Sequence, residues 1–64
     1  MKRQKETPKK ITQGEAYDII LNRIPRGLFY LQEGAQWTGI DNRTGNAWAE
    51  NFPTREMCLA WLAH

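Results

Sequence analysis

Residues 36–52, QWTGIDNRTGNAWAENF, decide how this chain folds. Two short runs, 36–41 and 46–51, flank Asn42-Arg43-Thr44-Gly45 and carry one tryptophan each, Trp37 and Trp48. Runs of this kind on either side of a glycine-containing turn read as a β-hairpin. A three-residue loop over 43–45 with Gly45 left-handed fits the turn. It pairs Asp41 with Ala47 and Gly39 with Ala49, and sets Ile40 diagonal to Trp48.

Upstream, residues 28–33, LFYLQE, are rich in β-formers, and Gly34-Ala35 supplies a two-residue loop with glycine where a type II′ turn requires it. That loop pairs Phe29 with Ile40 and Leu31 with Thr38. The two registers together place Phe29, Leu31, Thr38, Ile40 and Trp48 on a core face. The other face receives Tyr30, Gln32, Trp37, Gly39, Ala47 and Ala49. A slip of one residue would exchange the faces, so the agreement of both hairpins supports the assignment.

Helices flank the strands. Thr12-Gln13-Gly14-Glu15 is a capping box, and Ile11 before it is placed for a hydrophobic staple. Tyr17, Ile20, Leu21 and Ile24 then fall at helical spacing and read as the buried stripe of an amphipathic helix that ends before Pro25. Pro53 stops the last strand and Thr54 caps a second helix of about nine residues, with Met57, Cys58, Trp61 and Leu62 on its inner face. The expected fold is α+β, in the order α-β-β-β-α: a three-stranded antiparallel meander sheet with both helices on one face. Residues 11–64 form this single small domain, and residues 1–10 form a disordered basic tail.

Sixty-four residues allow one domain at most, and a core this small rarely yields more than roughly 3–5 kcal/mol. The start at Met1 reads as that of a complete small protein. The net charge of +2 is unevenly spread. Lys2, Arg3, Lys5, Lys9 and Lys10 against Glu6 give the tail a net +4, and four basic against six acidic residues give the body a net −2. With a single cysteine, Cys58, neither an intrachain disulfide nor a cysteine-based zinc site can form, which points to a reducing, cytoplasmic compartment. No apolar run approaches the roughly 18 residues of a membrane span, and no signal segment follows the basic start.

Catalytic chemistry finds little purchase. No nucleophile is paired with a base, no metal-ligand cluster has workable spacing and no glycine-rich phosphate loop is present. Cys58 falls on the inner stripe of a helix, where it serves as a small hydrophobe. Asp41, Asn42 and Thr44 are turn residues and too few oxygen donors for calcium. The expectation is a protein that is not an enzyme, with no cofactor, no metal and no small-molecule substrate.

The informative feature is the second sheet face, where Tyr30 and Trp37 stand beside Gln32, Ala47 and Ala49. With both helices on the opposite face, this patch is open and offers interface anchors to a protein partner or a homodimer. The alternative is that the first helix or the tail folds over it as a second small core. Stacking of nucleic-acid bases is a further use of such rings, though no basic residue is interleaved on the strands. The nucleic-acid contacts would then be Lys2, Arg3, Lys5, Lys9 and Lys10 of the tail and Arg43 of the turn.

Residues 27–62, with W-x-G-I-D-N-x-T-G-x-A-W followed by F-P-T and A-W-L, resemble small uncharacterised proteins of conjugative transposons of Gram-positive bacteria. That resemblance implies a mobile-element context. The same stretch is similar to the arm-binding N-terminal domain of tyrosine-type transposon integrases, in the Thr44-Gly45 turn, the Phe52-Pro53-Thr54 entry to a helix and Trp61-Leu62 near its end. That family implies a three-stranded sheet that enters the DNA major groove. The element order alone is similar to double-stranded-RNA-binding domains, although Thr54-Arg55-Glu56 stands where those carry lysines. The expected function is therefore a binding module of a mobile genetic element that contacts a protein or itself through the aromatic face. An accessory DNA-binding protein using the sheet and the tail is the alternative. An enzyme inhibitor or anti-restriction decoy is a third reading, suggested by the acidic body.

Overall fold

A computed structural model describes residues 7–63. Their order is β1 (Lys9–Lys10), α1 (Gln13–Asn22), β2 (Leu28–Glu33), β3 (Gln36–Asp41), β4 (Trp48–Phe52) and α2 (Arg55–Leu62). The fold is α+β, and its sheet is mixed and four-stranded, in the order β1-β2-β3-β4. The added strand comes from the stretch read as a tail. Lys9 and Lys10 run parallel to β2 opposite Phe29 and Tyr30, and Ile11 continues the pairing by donating its N–H to the Tyr30 carbonyl at 2.9 Å. Parallel neighbours need a crossover, and α1 supplies it.

The β2–β3 hairpin has the expected register, with Phe29 opposite Ile40 and Leu31 opposite Thr38. Gly34 takes the left-handed first position of its turn, with φ 63°. The β3–β4 register differs by one residue. Asp41 pairs with Trp48, Ile40 with Ala49 and Gly39 with Glu50. The cause is the Asn42 side chain, which is fully buried and holds two separate backbone segments. Its Nδ2 donates to the Pro25 carbonyl at 2.8 Å, and its Oδ1 accepts from the Ala47 N–H at 3.0 Å. Ala47, at φ 49°, is thereby kept in a left-handed conformation outside the strand. Pairing resumes only at Trp48, and every β4 side chain exchanges faces. Trp48 consequently leaves the Ile40 face and is 62% exposed.

The helices lie on opposite faces of the sheet, not on one. The capping box of α1 is complete: Glu15 N–H donates to Thr12 Oγ1 at 3.2 Å, and Thr12 N–H donates to Glu15 Oε1 at 2.9 Å. This helix buries Ala16 and Ile19 with Ile11 against Phe29, Leu31 and Ile40. Helix α2, capped by Thr54 Oγ1 accepting from Met57 N–H at 3.2 Å, buries Cys58 and Leu62 against Leu28. Around that second core pack Tyr30, Trp37, Phe52, Leu59 and Trp61. Gly39 allows the approach. A Cβ there would come within 3.1 Å of Cys58 Sγ and of a Trp61 ring carbon.

Candidate functional site

The large apolar side chains of α1 do not form its buried stripe. Ala16 and Ile19 face the sheet, because a small residue lets the helix backbone lie close to Phe29 and Leu31. The periodic set that marks the helix in the sequence is turned outward: Tyr17 is 66% exposed, Ile20 43%, Leu21 60% and Ile24 64%. Tyr17, Ile20 and Leu21, spaced three and four apart, share one side of the helix as an exposed apolar strip, and Ile24 stands beyond the left-handed Arg23 cap, outside the helix. Past the helix end, Ile24 and Pro25 line one wall of a groove of about 170 Å³ whose other lining residues include Ile19, Phe29, Lys9, Glu15 and Asp18, and none of Tyr17, Ile20 and Leu21.

Charge is unequal along α1. Glu15 lies in its first turn and Asp18 near its middle, and Arg23 caps its end at φ 62°. The Arg23 guanidinium donates to the carbonyls of Ile20 at 3.1 Å and of Gly45 and Asn46 at 3.3 Å. Arg26 lies against Gly45 and donates to the Arg43 carbonyl at 3.5 Å. Two cationic side chains therefore gather where the helix ends.

The residues expected to form one open sheet face are divided. Tyr30 and Trp37 do meet, with ring centroids 6.2 Å apart, but both are partly buried beneath α2. This is a second small core, covered by the last helix and not by the first. Gln32 is exposed opposite Trp37. Ala47 packs against the other core, and Ala49 is exposed on that other side of the sheet. A basic residue is nevertheless present beside the rings, since the Lys10 ammonium lies 6.0 Å from the Trp37 centroid. Cation–π contacts at that range are weakly attractive. Lys9 is exposed on the same edge strand. Lys2, Arg3 and Lys5 lie outside the described residues.

Arg43 does not stand apart as a solvated turn cation. Its Nη2 is 2.8 Å from Asp41 Oδ2 and its Nε donates to Asp41 Oδ1 at 3.1 Å. The hydrogen-bonding Arg43 side chain holds the Asp41 carboxyl below its usual range, a shift that partial burial opposes. A depressed folded-state pKa stabilises the fold above the unfolded value of about 4, and the contribution fades as pH falls through the lower folded value. The urea midpoint of the wild type is thus expected to exceed that of Asp41→Asn at pH 6, and the gap to narrow at pH 2.5. A gap of the same size at both pH values would mean that the ion pair contributes nothing.

Burial pushes the Cys58 thiol up, away from the reactive thiolate. Among the described residues, no group of three or more His, Cys, Asp or Glu side chains is placed to hold a metal ion. Among them also, no helix is long and apolar enough to cross a membrane. Neither a known protein family, nor a characterised protein, nor a solved structure matches the chain. The α1 strip was visible in the sequence as a periodicity; its outward orientation was not, because periodicity locates an apolar face without saying what covers it.

Proposed function

We propose that this chain is a non-enzymatic binding module of a mobile genetic element, and that it docks a protein partner through the outer face of α1. The observation that carries the proposal is the strip of Tyr17, Ile20 and Leu21 on α1, with Ile24 just beyond the helix end, large apolar side chains that the fold leaves in water. Contiguous apolar exposure is uncommon on small soluble domains and marks interaction sites. Anchors at i, i+3 and i+4, here Tyr17, Ile20 and Leu21, belong to the pattern by which a helix face enters a partner's groove. The mobile-element context rests on the resemblance of residues 27–62, and the non-catalytic role on a buried Cys58 whose thiol is pushed up by burial and on the lack of a nucleophile–base pair among the described residues.

One observation favours a second reading, accessory DNA binding. Lys9 and Lys10 form an exposed edge strand, and Lys10 is set against Trp37 and Tyr30 as a phosphate contact beside stacking rings would be. Photo-crosslinking separates the two. A benzophenone amino acid is placed in the full chain at position 21, 24 or 10, with Gln36 as an exposed control, in cells producing the protein. Docking through α1 predicts protein adducts from positions 21 and 24 and none from position 36. Nuclease-sensitive adducts from position 10 alone would transfer the function to the basic edge and sink the α1 proposal.

A further inference from the structure

We infer that β4 is an edge on which a strand of another protein is added, an extended segment with a cation opposite Glu50 and a large apolar side chain opposite Trp48. The site is separate from the strip on α1 and does not depend on it. The two edges of the sheet differ in how they are guarded. Unpaired strand edges invite other chains, and soluble proteins blunt them with short strands, lysines, prolines and covering elements. Edge β1 is so guarded: it is two residues long, both are lysines, and the chain turns from it into α1. Edge β4 runs over five residues, Trp48–Phe52, with neither lysine nor proline, and four of the five are exposed. Among the described residues, no backbone group pairs with its outer side. The alternating N–H and C=O groups of such an edge are matched by another extended backbone, which sets the class of the occupant.

Side chains select which backbone. Glu50 stands opposite Gly39, which has no side chain to meet it, and among the described residues no cation pairs with it. Trp48 shares its face of the strand and is 62% exposed. On the other face, the small Ala49 leaves room for a large side chain beside it. A second copy of the chain fits this edge badly. Two-fold antiparallel pairing over the whole strand sets Glu50 on Glu50, and like charges directly opposite are destabilising. Sliding by two residues to part them leaves three of the five residues paired. A different strand with lysine or arginine at that place turns the repulsion into attraction.

The probe is a blocked peptide, acetyl-Thr-Val-Thr-Lys-Tyr-Ile-Thr-amide, whose lysine faces Glu50 and whose isoleucine faces Trp48 when it runs antiparallel to β4. It is titrated to millimolar concentration into the isotope-labelled full chain, and amide exchange is followed by NMR. The expected result is slowed exchange at alternate β4 amides, since every second N–H of an edge strand points outward. Glutamate in place of the peptide lysine should weaken binding about fivefold, the span between opposite and like charges across a strand pair. Glu50→Lys should invert that preference, with the circular dichroism of the wild type because the side chain is exposed. The same peptide methylated on its pairing amide nitrogens should not bind. No protection at β4, equal binding of the methylated peptide, or an unchanged preference in Glu50→Lys would each overturn the inference. Protection of the same amides by raising the chain's own concentration would give the edge to a second copy and overturn the choice of partner. Protein adducts from positions 21 and 24 without β4 protection would leave the α1 reading standing and remove this one; β4 protection without those adducts would do the reverse.

Discussion

Ile40→Ala is expected to leave the chain largely unfolded in water at 25 °C, while Trp48→Ala is expected to be almost silent. Ile40 is completely buried at the middle of the sheet, among Ile19, Phe29 and Leu31. Truncating such a residue costs about 2–5 kcal/mol, through lost transfer energy and the cavity that remains. A 64-residue domain has roughly 3–5 kcal/mol to lose. Trp48 is mostly exposed, and surface changes away from special features stay within about 0.5 kcal/mol. The comparison decides the β3–β4 register. With Asp41 opposite Ala47, Trp48 would share the core with Ile40, and its truncation would cost about 3–5 kcal/mol. Urea unfolding followed by far-UV circular dichroism distinguishes the two. Ile40→Val, at about 0.5–1.5 kcal/mol, keeps the comparison measurable if the alanine variant has no folded baseline. A Trp48→Ala loss as large as that of Ile40→Ala would reject the register with Asp41 opposite Trp48.

The parts of the fold that could be read from the sequence are those whose causes are local. The β2–β3 register follows from Gly34-Ala35 and the alternation of Phe29, Leu31, Thr38 and Ile40, all within fourteen residues of one another. Both helix starts follow from Thr12 with Glu15 and from Thr54, since a cap is satisfied within its own first turn. What could not be read depends on distant partners. Asn42 looks like an ordinary turn residue until the Pro25 carbonyl, seventeen positions away, claims its amide. That tether moves β4 by one residue and scatters Ala47, Trp48 and Ala49 from their expected sides. Lys9 and Lys10 carry no strand pattern, and two residues pair with β2 only because α1 returns the chain beside them. The candidate site was displaced for the same reason. Tyr30 and Trp37 look free as long as both helices are placed on one face; with α2 over them, the exposed apolar surface includes the outer side of α1.

Gly39→Val is expected to destabilise the domain by about 1–3 kcal/mol, the cost of forcing extra methyl groups into a packed core. The sign of this effect is its value as a test. Were the Tyr30/Trp37 face open, a side chain at position 39 would project into solvent from the middle of a strand. Replacing glycine by a β-branched residue there should then stabilise by up to about 1 kcal/mol, through lower unfolded-state entropy and better strand propensity. In the folded chain, however, a Cβ at Gly39 already lies 3.1 Å from Cys58 Sγ and from Trp61 Cε3, closer than real Cβ contacts normally come. The backbone of Gly39 is outside the left-handed region, so steric exclusion by α2 is the whole of the predicted penalty. Trp61 also packs on Phe52, with centroids 5.5 Å apart, so the ring cannot tilt away without opening that contact. Shortening the opposing side chain should relieve the clash. Gly39→Val combined with Trp61→Leu should be more stable than the sum of the single losses predicts, a coupling that a double-mutant cycle in urea reads directly. Simple additivity, or stabilisation by Gly39→Val alone, would mean that α2 does not cover this face and would return Tyr30 and Trp37 to the surface.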